Sequence, residues 1–262
     1  MIMRITIDFT KSAQENADDF YKKAKKLVQK KAGAESAIKD LEKRLKEASQ
    51  LSAAAPQTKR IVVTEKEWYE KFHWFFTSDH MLAIGGRDAQ QNELLNSKHF
   101  DENDLFFHAN IFGASVTILK NGAKASKEAM EETAQMAACY SSAWKEGLHA
   151  VDVYAMRREQ VSKSTSKGSI GRGSFLLSGE RQWYKGVSLS LIFFTKDGRL
   201  FVAPEISFYR MKEKGEVPNA YVSVKQGSMK KSDAAKKVSK LLDFQDVDTI
   251  MQQLPAGEFR IG

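Results

Sequence analysis

The run Arg181-Gln182-Trp183-Tyr184-Lys185 sets two aromatic rings between two cations. That order suits the stacking of an unpaired base on a ring while flanking charges hold phosphates, since every base has a π-face and every phosphate is anionic. It equally suits an edge strand with a half-buried Trp. Further cations, Arg87, Lys120, Lys124, Arg157, Arg158, Lys163, Lys167 and Arg172, fall in loops or at element ends, from which long side chains reach a phosphate backbone. In Gly85-Gly86-Arg87-Asp88 the aspartate is placed to cap a helix, while Arg87 either pairs with it or faces a ligand beside the glycine turn. His108, within Phe106-Phe107-His108-Ala109-Asn110, is either a hydrogen-bonded structural imidazole or a reactive one; with Asp88 and Asn92 it would form the acid-base and amide set of an RNA-modifying site near Arg87.

Other chemistries find no footing. The histidines at 73, 80, 99, 108 and 149 make no HxxxH or HExxH spacing and Cys139 stands alone, so neither a metal site nor a disulfide is expected. There is no GxxxxGK[ST] and no GxSxG. Gly168 to Gly173, GSIGRG, leads into a strand-like run, whereas a dinucleotide loop opens a helix. Asp101, Glu102 and Asp104 read either as a carboxylate cluster or as a solvated turn. No catalytic residue and no cofactor is expected from these patterns.

Lysine and arginine number 41 against 33 acidic residues in a chain of 262, a net charge of +8 that favours anionic partners without specifying one. No apolar run has membrane-spanning length, and MIMRITIDFTKS turns polar too soon for a signal peptide, so the expected setting is the cytoplasm.

The elements that must hold these residues can be read from periodicity. After the strand-like RITIDF, positions 17, 20, 24, 27, 31, 34, 38, 41, 45 and 48 form a heptad seam broken in apolar character only by Lys31. Gly33 either lies within one long helix or marks a bend between two antiparallel ones. A seam this narrow needs a partner, and a second copy of the chain, giving a homodimer, is one candidate. LSAAAPQTK reads as a linker, which divides the chain into a coiled-coil segment and linker over 1–59 and a globular body over 60–262.

In the body, 72–76 and 81–84 flank the turn signal Ser78-Asp79-His80, predicting a hairpin with Phe72, Trp74 and Phe76 on one face and His73 and Phe75 on the other. A helix begins after Asp88, a strand-like run covers 104–119, and a helix is predicted from about Ser126 to Glu146 with Gly147 as its stop. HAVDVYAM, SFLLSG and VSLSLIFFT read as strands, the last turning at Asp197-Gly198 into LFVAPEI. A basic helix follows at about Ser232 to Leu242. The expected fold is α+β: a largely antiparallel sheet with flanking helices, preceded by an N-terminal coiled-coil helix.

Taken in order, WYEKFHWFFTSDHMLAIGGRDAQQNELL, FFHANIFGAS, CYSSAWKEG, REQVSKS and GRGSFLLSGER resemble the successive motifs of the NFACT-R domain of the ribosome-associated quality-control NFACT family, nearest its archaeal-type members. The stretch from Ser12 to Ile38 is similar to the start of the family's coiled coil. The resemblance implies an RNA-binding module of translation that engages tRNA or ribosomal RNA on the large ribosomal subunit, without catalysis of its own. Departures from the family pattern are His73, Asn110, Phe112 and KGSIGRG, and the loss of acidic and imidazole groups at 110 and 112 weakens an enzymatic reading. On this reading the RNA contacts are Arg87, Asn92, His108, Lys120, Lys163, Arg172, Arg181, Trp183 and Lys185. RNA modification, or a protein scaffold acting through the coiled coil, are the alternatives.

Overall fold

The computed structural model describes residues 7–52, 67–165, 168, 169, 171 and 173–262. The chain divides into two units, Met1–Glu65 and Lys66–Gly262.

In the first unit, Ala13–Ser52 form one helix, α1, of 40 residues, roughly 60 Å at 1.5 Å per residue. It begins with a reciprocal cap: Ser12 N–H donates to Glu15 Oε2 at 2.8 Å, and Glu15 N–H donates to Ser12 Oγ at 3.2 Å. The helix runs through Gly33 unbroken, so the bend is not found; an added Cβ there would touch nothing within 4 Å. Phe20, Leu27, Ile38 and Leu41 of the seam are all exposed. Most of the expected linker lies outside the described residues, and Leu51 and Ser52 belong to the helix; of the strand-like RITIDF, residues 4–6 lie outside them and Ile7, Asp8 and Phe9 form no strand.

In the second unit, β1 (His73–Phe76) and β2 (Leu82–Gly85) form the predicted hairpin, with His73 opposite Gly85 and Phe76 opposite Leu82. Then come α2 (Ala89–Lys98), β3 (Leu105–Ala109), β4 (Thr117–Leu119), α3 (Lys127–Cys139), α4 (Ser142–Lys145) and β5 (Ala150–Arg157). Four two-residue strands follow, β6 (Val161–Ser162), β7 (Ser164–Thr165), β8 (Gly168–Ser169) and β9 (Leu176–Leu177), so SFLLSG contributes little regular strand. The chain ends with β10 (Gln182–Ser188), β11 (Ser190–Lys196), β12 (Arg199–Pro204), α5 (Glu205–Glu213), β13 (Tyr221–Met229), α6 (Lys231–Leu242), α7 (Val247–Gln253) and β14 (Phe259–Ile261).

The short strands pair as β6-β9 and β7-β8, and the two larger antiparallel sheets are ordered β1-β2-β4-β3-β5-β10 and β12-β11-β13-β14. The chain passes between them at buried Leu189, between β10 and β11. α3 packs against β3, β5 and β10 of one sheet and β11 and β12 of the other. Its alanine-rich sequence fits that place: Ala134, Ala137, Ala138 and Cys139 are fully buried, and small side chains let two sheets approach one helix. Cys139 is thus a packing residue, its Sγ 3.5 Å from Ser190 O.

The predicted helix over 126–146 is two helices. Ser141 breaks it, accepting from Ala143 N–H at 3.3 Å and donating to Ala138 O at 2.7 Å, and so caps α4. The break buries Trp144, whose indole N–H donates to Glu258 O at 3.1 Å, and sends the Tyr140 hydroxyl to Gln253 O at 2.9 Å. α5 and β13 escaped the sequence reading; LFVAPEI is strand only to Pro204, where α5 begins.

The other face of the six-stranded sheet carries a second core of Phe72, Ile84, Leu95, Phe100, Phe106, Ile118 and Met156. α2 supplies Leu95, and its position is set by the cap of Asp88, whose Oδ1 accepts from Gln91 N–H at 2.8 Å.

Candidate nucleic-acid interface

On that second face the strands β3, β5 and β10 bring three side chains into one row. His108 is the cross-strand partner of Tyr154, and Tyr154 of Trp183. The Tyr154 and Trp183 rings meet edge to face with centroids 5.4 Å apart, and the Tyr154 hydroxyl lies 3.3 Å from His108 Nδ1. Burial lowers the pKa of His108, so the ring is neutral at physiological pH.

Two cations lie over this row. The Arg181 guanidinium stands 4.5 Å from the Tyr154 ring centre and 5.8 Å from that of Trp183, while Lys185 Nζ stands 4.3 Å above the Trp183 ring. Tyr154 is buried, whereas Trp183 is 40% exposed at the sheet edge. Both readings of Arg181–Lys185 therefore meet in one place: β10 is an edge strand with a half-buried Trp, and that ring is flanked by cations. An exposed ring with charge on either side can take a base face and its phosphates once the Lys185 ammonium swings off the ring and away from Asp152.

The row is shaped by a bulge between Tyr184 and Val187. Gly186 adopts φ +58°, a conformation glycine reaches without strain, and its N–H donates to Asp152 Oδ1 at 2.9 Å. The other carboxylate oxygen accepts from Lys185 at 2.9 Å. The Lys185 and Gly186 hydrogen bonds hold Asp152 below the usual carboxylate pKa. Beside it, Asn110 N–H donates to Asp152 O at 2.7 Å, at the start of the β3–β4 loop that carries Phe112, 97% exposed.

The remaining sequence candidates among the described residues do not join the row. Asn92 is buried; its Oδ1 accepts from Val116 N–H at 3.1 Å and would lie 2.1 Å from a Cβ at position 86, so it fixes the glycine turn from within. Lys120 is held by Asp101 at 2.7 Å and by the buried Asp104, with a further bond to His99 O at 3.0 Å. Asp104 in turn accepts from the N–H groups of Asp101 and Asn121, which makes the 101–104 segment an anchored turn rather than a solvated one. Lys163 pairs with Glu93 at 2.6 Å and caps Gly171 O and Ser174 O. Arg87 follows β2, toward the other end of the sheet, where it donates to Phe72 O at 3.1 Å. Arg172 and Lys167 lie outside the described residues. Lys120 and Lys163 are thus both paired with neighbouring carboxylates.

Tyr154 is the residue of the row that sequence reasoning missed. A signal existed, since alternation along VDVYAM puts Tyr154 and Met156 on one face.

No helix among the described residues is long and apolar enough to cross a membrane, and no group of three metal-ligating side chains occurs among them.

Residues 71–179 match the NFACT protein RNA binding domain. The chain is 33% identical over 209 residues to the archaeal Rqc2 homolog aRqcH of Methanocaldococcus jannaschii, covering 77% of this chain and 30% of that protein. It is 33% identical over 202 residues to the ribosome quality control complex subunit NEMF homolog of Drosophila melanogaster, covering 74% and 20%. Among solved structures, the C-terminal part of the fibronectin/fibrinogen-binding protein of Streptococcus suis is similar at a TM-score of 0.40 and 18% identity, over 67% of this chain and 76% of that one. The chain thus spans less than a third of the length of the two curated relatives. Its motifs, its matched domain and these relatives agree, and the chain belongs to the NFACT family.

Proposed function

We propose that the Lys66–Gly262 unit is an RNA-binding module without catalysis of its own, acting on tRNA or on the large ribosomal subunit in cytosolic ribosome quality control. Trp183 stacks an unpaired base, Arg181 and Lys185 hold the adjoining phosphates, and neutral His108 with Tyr154 forms the floor. The observation that carries this reading is the placement of two cations over the rings of a sheet-edge aromatic row. The Drosophila melanogaster relative supports the setting, since its name is that of a ribosome quality control complex subunit. The exposed seam of α1 suits a spacer or a contact with a second copy.

An RNA-modifying site built from His108, Asp88 and Asn92 finds less support, because Asp88 caps a helix and Asn92 is buried in the glycine turn. Fluorescence titration with tRNA and with large subunits at two salt concentrations tests the proposal. Binding in the roughly micromolar range or tighter, weakening steeply with salt, is expected. Absence of binding to either at low salt would reject it, and mass spectrometry of the bound RNA should find every nucleoside unaltered.

A further inference from the structure

Far from the aromatic row in strand order, side chains from four parts of the fold converge on the last turn of α7. Arg87 Nη1 donates to Gln252 Oε1 at 3.4 Å, and Lys231 Nζ donates to Leu254 O at 2.7 Å. Between them, His73 Nδ1 lies 3.3 Å from Gln253 Oε1 and the Tyr140 hydroxyl bonds Gln253 O. The His73 ring lies flat on that of Tyr140, with centres 3.8 Å apart.

The charge of this group does not balance. Arg87 and Lys231 are both partly buried, and each pKa is lowered by burial. Each also disfavours the charged form of His73, while Arg87 does the same to Lys231. Among the described residues no Asp or Glu is ion-paired with either cation, in contrast to Lys120, Lys163 and Arg210. The carbonyls at the end of α7 offer only partial negative charge. Arg87 Nε, moreover, is buried without a hydrogen-bond partner.

Cations withdrawn from water are stable only when paired and fully hydrogen-bonded, and a guanidinium fork beside an ammonium matches the oxygens of a tetrahedral dianion. We propose that Arg87 and Lys231, at the end of α7, form a binding site for a single phosphate group, either a free ion or a terminal phosphate monoester. Two positive charges meet the two negative charges of that group. The neutral imidazole of His73, packed on Tyr140, walls the site without adding charge. This inference does not depend on the RNA reading of the aromatic row.

Phosphorus NMR of inorganic phosphate titrated with the full chain tests it. The resonance should broaden with protein, and sulfate should reverse the broadening where chloride at equal ionic strength does not. Lys231→Gln, which keeps a donor for Leu254 O, and Arg87→Gln should each abolish the effect, whereas Trp183→Ala should retain it. Equal broadening in wild type and in a folded Lys231→Gln variant, or none in wild type at millimolar phosphate, would overturn the site. If a terminal monoester is the ligand, a 5′-phosphorylated dinucleotide should bind at least about tenfold more tightly than its unphosphorylated form; equal binding with the phosphate response intact assigns the free ion. Loss of RNA binding by Trp183→Ala with phosphate broadening preserved would keep the two sites distinct, and failure of either measurement in wild type leaves the other standing.

Discussion

Lys120 and Lys185 are both loop or edge lysines paired with an aspartate, yet their surroundings differ in every respect that matters. Lys120 reaches Asp104, whose side chain is only 1% exposed, and also caps His99 O. Lys185 pairs with Asp152 in the open, its own side chain 68% exposed, and stands above an exposed indole. Type and charge are the same; burial of the partner separates a scaffold pair from one left open to a ligand. A buried carboxylate deprived of its cation has no water to replace it, while a surface pair dissolves at little cost.

The comparison predicts its largest effect at Lys120. Lys120→Met would leave Asp104 uncompensated and should destabilise the protein by about 3 kcal/mol in urea denaturation. RNA affinity of the remaining folded protein should be unchanged. A loss of affinity without a loss of stability would place Lys120 in the interface and erase the distinction. The row should behave oppositely: Trp183→Ala combined with Arg181→Ala should leave the melting midpoint nearly unmoved. Removing the stacking platform alone is worth about 1–3 kcal/mol of RNA binding, on the order of tenfold to a hundredfold. Unaltered affinity in the folded double variant would remove the row from the function.

A third setting, cations with no carboxylate at all, has its own signature in pH. His73 is held down to about 3, by burial first and then by Arg87. An imidazole in the unfolded chain titrates near 6.5, so between these two values the unfolded state binds the extra proton. Stability contributed by neutral His73 is therefore complete above pH 6.5 and falls as the pH drops below it. At pH 5 the loss should reach about 2 kcal/mol, at 1.36 kcal/mol per pH unit. Urea melts at pH 7 and pH 5 would show it, and His73→Gln should flatten the slope; an equal slope in the variant would mean that His73 is not the titrating group.

These settings also explain what could be read from the sequence and what could not. The hairpin, the Asp88 cap and the division of Phe72 and Phe75 between faces follow from turn chemistry and two-residue alternation, which act locally. The break at Ser141 was hidden because its cause is local but small: a serine hydroxyl that satisfies a carbonyl and caps the next turn, inside an otherwise helical pattern. Of the site, the run from Arg181 to Lys185 was visible because neighbours in sequence remain neighbours on one strand. Tyr154 joins it only through register between β5 and β10, and the pairings Lys120–Asp104 and Lys163–Glu93 bridge 16 and 70 positions respectively. Which lysines are neutralised is thus a tertiary fact, and a list of loop cations overstates the number available to a polyanion.

The smallest effect expected is at Lys185. Because the pair is exposed and Asp152 keeps its bond from Gly186 N–H, Lys185→Ala should leave the urea-denaturation midpoint nearly unmoved. If Lys185 contacts one phosphate, the slope of log affinity against log salt should fall by about one unit, with a matching affinity loss of a few fold near physiological salt. Asp152 competes with RNA for the same ammonium, so Asp152→Asn, which retains an oxygen for Gly186 N–H, should tighten binding while Lys185→Ala weakens it. In the double variant Asp152→Asn with Lys185→Ala, the gain from removing the carboxylate should shrink, because the cation it restrained is gone. Strictly additive effects would instead mean that Asp152 acts on RNA through general charge and that Lys185 is not the group it holds back.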